Sequence, residues 1–180
     1  KISVFEDRVL GWQLDIAEQL YFGAPAKRGK KRLQVRIEHN GFAVLYILLS
    51  YFEMTPKYEA GDLSEDSSVW FKRGIKSVFP ELAGAGQAAE TSILSAMWKG
   101  ARNGLYHSAM TKKRVFVSGD ANCLDFDAAK KRLVVNPGAV ARRTITHFND
   151  YVARLRKPSN TTLRSNFEKK FNDEILPQIS

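Results

Sequence analysis

Residues 41–53 read GFAVLYILLSYFE. Wound into a helix, Phe42, Leu45, Ile47, Leu48, Leu49 and Phe52 leave no broad polar face. Such a helix must be covered on nearly every side. The run falls short of the roughly 18 apolar residues that span a bilayer, so other parts of the same chain must cover it. We place this helix at 33–53, with Thr55-Pro56 ending it, because proline breaks the backbone ladder. Glu38, His39 and Asn40 occupy its first half. Neighbouring helical residues point about 100° apart, so Glu38 and His39 do not face each other as an acid–base pair.

Several segments have the pattern needed to cover it. In residues 3–21, Phe5, Val9, Trp12, Ile16 and Leu20 recur at spacings of three and four. Ser67 or Ser68 can cap a short helix running to Phe79, and Pro80 stops it. A helix rich in small residues starts near Gln87 after Gly84-Ala85-Gly86. Another spans 139–156, with a stripe of Ala141, Ile145, Phe148, Val152 and Leu155, and with His147 off that stripe. In the last helix Leu163, Phe167, Phe171 and Ile175 recur every four residues. Between helices, Val115–Ser118, Leu124-Asp125-Phe126 and Arg132–Val135 are short strand-like runs around the turn cluster 119–122. Asp125 and Asp127 would share one strand face, a weak cation site with no third ligand. The expected fold is therefore mainly all-α: an antiparallel bundle of five to six helices with a small β-hairpin inserted at about 113–135. A chain of 180 residues fits one domain, 1–180.

The net charge of +9 favours phosphate polyanions as partners. Five of the six residues 27–32 are cationic. This run, with Lys30 and Lys31, reads as a solvated loop that contacts phosphate. A single cysteine, Cys123, supports neither a disulfide framework nor a zinc site, and points to a reducing, cytoplasmic setting. Nothing at the start resembles a secretion signal, and no apolar run is long enough to span a bilayer.

The chemistry concentrates at 98–111, WKGARNGLYHSAMT. Arg102 and His107 are separated by four residues, Asn103 follows the arginine, and Lys112-Lys113-Arg114 follows the string. Histidine exchanges protons near neutral pH, and arginine presents a fixed planar fork to phosphate oxygens. These groups suffice for RNA cleavage. A ribose 2′-hydroxyl attacks the adjacent phosphorus, a base takes its proton, an acid protonates the leaving 5′-oxygen, and a cation offsets the phosphorane charge. No metal or cofactor is required, and DNA lacks the nucleophile. Five residues apart on a helix is about 140° around the axis. Arg102 and His107 thus share a cleft if the helix distorts at Gly104, or if a second chain related by a two-fold axis brings its own pair.

This string resembles the HEPN family, all-helical domains whose motif is arginine, four to six residues, then histidine, often with a polar residue after the arginine. Arg102, Asn103 and His107 match all three, and GLYHSAMTKKRVFVS is similar to a bacterial, mobile-element-borne branch. The resemblance implies a homodimeric, metal-independent endoribonuclease with a composite site. Arg102 and His107 would be catalytic, with Asn103 orienting, and Lys112, Lys113 and Arg114 would hold substrate. It also implies a toxin or antiphage effector, in some cases controlled by an antitoxin. Such toxins often carry tyrosine two residues after the histidine, where this chain has Ala109. The alternative is a non-catalytic RNA- or nucleotide-binding module on the same scaffold.

Overall fold

A computed structural model of the chain describes residues 1–23, 37, 39–62 and 64–175. It is mainly helical, with six continuous helical stretches among the described residues and one small sheet. The first stretch joins α1 (Ile2–Glu6), a π-helical segment (Asp7–Leu14) and α2 (Asp15–Phe22). Then come α3 (Gly41–Ala60) and α4 (Ser67–Val78), followed by a 3-10 turn (Pro80–Ala85). The fourth stretch joins α5 (Gln87–Ser95), a second π segment (Ala96–Arg102) and α6 (Asn103–Ser108). Strands β1 (Val115–Val117), β2 (Leu124–Asp127) and β3 (Arg132–Val135) precede α7 (Pro137–Arg156) and α8 (Thr161–Glu174).

Helix α3 is central, packing against α2, α4, α6, α7 and α8. Val44, Leu45, Leu48, Leu49, Tyr51 and Phe52 are all buried along it. Both ends of the chain reach the same core: the Phe5 ring lies 4.5 Å from Tyr58 and 5.3 Å from Phe167.

The central helix differs from the sequence expectation at both ends. It begins at Gly41, and His39 just before it has φ +60, outside helical geometry. It also runs through Pro56 to Ala60, ending on left-handed Gly61. Proline removes only the bond to the carbonyl four residues back, here Phe52. That carbonyl sits against Gly74 of α4, where a Cβ would lie 1.8 Å from the oxygen. The two helices pack this closely because Gly74 has no side chain. Asp66, rather than Ser67 or Ser68, caps α4 through Ser68 N–H at 2.7 Å.

The N-terminal stripe is also displaced. Phe5 and Val9 are buried, but the next buried positions are Leu14 and Ala17, while Trp12 is 67% exposed. The π segment accounts for this: bonding i to i+5 inserts one residue into a turn and rotates the following face.

The β insert is a three-stranded sheet of order β1-β3-β2, not a single hairpin. The hairpin is β2–β3, and β1 lies parallel to β3. Asn136 caps α7 by accepting from Ala139 N–H at 3.1 Å.

Gly74→Ala should destabilise the chain by about 3 kcal/mol, because the new methyl meets backbone. At exposed Gly84 a Cβ would meet nothing within 4 Å. Gly84→Ala should instead stabilise by roughly 0.5 kcal/mol. Urea unfolding of both variants checks the pair.

Candidate functional site

The motif helix reaches its functional residues through the second π segment, which ends on Arg102. Such widened turns often occur at functional sites. From there α6 carries Asn103 to Ser108, and Ala109 closes it in a left-handed conformation, φ +54. Gly104 is buried, and its role differs from the flexibility expected of it. A Cβ there would lie 2.6 Å from the Met110 carbonyl oxygen and 3.3 Å from Thr111 Cα. The missing side chain lets residues 110–112 fold back over the helix. Lys112 N–H then donates to Gly100 O at 2.9 Å.

Arg102 is held on several sides. Its guanidinium carbon lies 4.8 Å from the Trp98 ring centroid and 4.8 Å from the Tyr106 centroid. It donates to Asn103 Oδ1 and to Glu53 Oε2, each at 3.4 Å. Charge-assisted hydrogen bonds are usually about 2.7–2.9 Å, so neither contact uses the fork fully. Glu53 makes its close bonds elsewhere, accepting from Lys57 Nζ and Ser67 Oγ at 2.8 Å each. The rings and the carboxylate thus position the guanidinium while leaving donors for an anion.

Glu53 and Lys57 belong to this site but did not stand out in the sequence. The expected break at Thr55-Pro56 separates Glu53, at the end of the apolar helix, from Lys57 beyond it. The continuation through Pro56 puts them one turn apart on the same face. An i, i+4 Glu–Lys pair at the end of an apolar run was the available signal. Burial alone would raise the Glu53 carboxyl. The hydrogen bonds from Lys57 and Ser67, with the charges of Lys57 and Arg102, outweigh it and hold the group below its ordinary 4.5.

Tyr46 and Tyr106 are stacked, with centroids 4.5 Å apart and planes 19° apart. Burial pushes the Tyr106 hydroxyl upward, keeping it a neutral donor. On one side of Tyr106 is a cavity of about 220 Å³, lined also by Ser50, Glu53, Lys57, Tyr58 and Lys170. On the α3–α6 face is an apolar groove of about 420 Å³, lined by Phe42, Ala43, Tyr46, Ile47, Leu105 and Ala109.

His107 is exposed near the end of α6. Among the described residues it makes no hydrogen bond; Arg102 and Asn103 are bonded to each other, and His107 lies one turn after Asn103 on α6 without a bond to either. Lys112, Lys113 and Arg114 are exposed just beyond, the last two at positive φ. Lys30, Lys31 and Glu38 lie outside the described residues. Asn40 donates its amide to Leu20 O and so ties α3 to α2.

The other candidates have structural roles. His147 bridges three helices, its Nδ1 2.7 Å from Tyr51 Oη and its Nε2 2.8 Å from Ser77 Oγ. Burial lowers its pKa. It is partly exposed, as its place off the apolar stripe suggests, and both of its ring nitrogens are hydrogen-bonded. Asp125 accepts from Asn122, and Asp127 from Lys130 N–H. Among the described residues no three metal-ligating side chains cluster. Burial raises the Cys123 thiol, which disfavours the thiolate. No described helix is long and apolar enough to cross a membrane.

Comparison with family models, curated proteins and solved structures returns no match.

The depressed Glu53 carboxyl has a signed consequence. Its contribution is present above the unfolded value near 4.5 and is lost as pH falls through the lower folded value. Glu53→Gln should therefore be less stable than the parent at neutral pH. The gap should close progressively below pH 4.5 in urea titrations run across pH.

Proposed function

We propose that this chain is a metal-independent endoribonuclease of the HEPN type, acting as a homodimer. One observation carries the proposal. Arg102 is clamped between Trp98 and Tyr106 and braced by Glu53 and Asn103, on the helix that ends at exposed His107. A structural arginine would normally make close carboxylate bonds. This one is positioned with donors to spare, as an oxyanion site requires.

In the reaction, the 2′-hydroxyl loses its proton to one imidazole and its oxygen bonds to phosphorus. The P–O5′ bond breaks, and the leaving oxygen takes a proton from a second imidazole. The products are a 2′,3′-cyclic phosphate and a free 5′-hydroxyl. Arg102 offsets the charge on the phosphorane oxygens. Lys112, Lys113 and Arg114 hold flanking phosphates.

One chain supplies one imidazole at this place, and a two-fold partner supplies the other. The α3–α6 groove supports such a partner. Phe42, Tyr46, Tyr106 and Met110 are exposed around it, beside His107. A second copy there would bury that apolar surface and set the two motif helices together. A toxin or defence role and an antitoxin partner are inferred from the resemblance alone.

Purified protein in excess EDTA should cut RNA and leave 2′,3′-cyclic ends. Arg102→Ala and His107→Ala should each lower the rate by roughly 10²–10⁴ while RNA binding persists. RNA bound with no cleavage by the parent would instead support the non-catalytic module. Cutting that persists in both variants would place the chemistry elsewhere.

Phe42→Glu should shift the chain toward monomer in sedimentation velocity and reduce cleavage in parallel. A monomeric variant with full activity would rule out the composite site.

A further inference from the structure

The two basic runs of the insert meet at one end of the sheet. Lys112-Lys113-Arg114 leads into β1, and Lys130-Lys131-Arg132 leads into or begins β3. Because β1 and β3 are parallel, their starting ends coincide. An antiparallel pair would have put the runs at opposite ends. Arg114 Nη1 donates to Lys130 O at 2.7 Å, joining them directly.

Most of these charges also lack a close carboxylate. Elsewhere four arginines have close carboxylate partners: Arg73 with Glu65, Arg143 with Glu81, Arg154 with Glu59 and Arg156 with Glu6. In the two runs only Lys130 has one, Asp127 at 3.6 Å. Among the described residues Lys112, Lys113, Arg114, Lys131 and Arg132 have no carboxylate within 4 Å.

An aromatic ring lies among them. Phe116 pairs with Val134, so its side chain shares the outer sheet face with Arg132. The ring is 50% exposed, and the Arg132 guanidinium lies 5.6 Å from its centroid. Arg132 Nε has no acceptor among the described residues, and Asp127, opposite it across β2–β3, attracts its charge without a hydrogen bond. Asp125 and Asp127 share the face, but Asn122 and Lys130 occupy them.

We infer that this sheet face binds single-stranded RNA, with Phe116 stacking on an unpaired base and Lys113, Arg114, Lys131 and Arg132 holding adjacent phosphates. An exposed ring offers a base a π-face, which is sequence-tolerant, and the surrounding cations track the backbone. A duplex keeps its base faces covered, so it can use the cations but not the ring. The platform is attached to the motif helix through Lys112 N–H and Gly100 O. Its place beside the scissile phosphate rests on the ribonuclease proposal, whereas the binding itself does not.

The test uses the full chain with His107→Ala, so that RNA stays intact. Binding of labelled oligouridine and of a blunt RNA duplex is followed by fluorescence anisotropy over a range of salt. The single strand should bind more tightly. Phe116→Ala should weaken it about tenfold and leave duplex binding unchanged, and Phe116→Trp should retain it. Arg114→Ala should flatten the salt dependence for both RNAs. Equal affinity of Phe116→Ala and parent for the single strand overturns the inference. So does tighter duplex binding, or binding to phosphatidylserine vesicles with none to RNA. Thermal unfolding of each variant shows that the fold is intact. Cleavage by the parent chain scores the nuclease proposal separately: it can fail while the platform binds, and the platform can fail while the chain still cuts.

Discussion

The burial of α3 on all but the face carrying Phe42, Tyr46 and Ser50 is the constraint the other elements answer. Fully burying a Leu or Phe side chain is worth roughly 1.5–3 kcal/mol, and α3 buries several. That gain requires neighbours around the buried faces, which α2, α4, α6, α7 and α8 provide. The tightest approach occurs where Pro56 leaves the Phe52 carbonyl without an N–H and Gly74 leaves room beside it. Because the helix continues past this proline, Lys57 lies one turn from Glu53 and bonds to it. A packing solution in the core therefore creates the carboxylate that braces Arg102.

The two π segments have related effects at different places. Each changes the phase of a helix by one residue. In the first, the change turns Trp12 outward and brings Leu14 and Ala17 into the core. In the second, it ends on Arg102, whose guanidinium settles between the rings of Trp98 and Tyr106. Neither shift is visible in hydrophobic spacing, because the apolar residues at 12 and 16 fit an unbroken α-helical stripe as well.

Charge is unevenly distributed over the fold. Four arginines of the helical body are paired with carboxylates, which fixes their positions more than it adds stability, since such exposed pairs contribute little. The surplus collects at the β insert, where the strand order brings two basic runs together and carboxylates are committed elsewhere. Residues 110–112 fold onto Gly104, so this positive end is continuous with the motif helix.

Much of this was legible in the residues themselves. The apolar run at 42–52 required a helix covered by others. The repeats of Phe167 and Phe171, and of Phe148, Val152 and Leu155, identified helices that do the covering. Arg102, Asn103 and His107 marked the candidate site by their chemistry and spacing. Those features depend on local periodicity and side-chain type, which a sequence states directly. Only the tertiary structure decided that α3 passes through Pro56, that Glu53 and Lys57 join Arg102, and that β1 runs parallel to β3. A proline is tolerated in a helix when its orphaned carbonyl fits against a glycine on a neighbour, and strand direction depends on a partner far along the chain. Such long-range fits leave no local pattern to read, and they set which charges and rings share a surface.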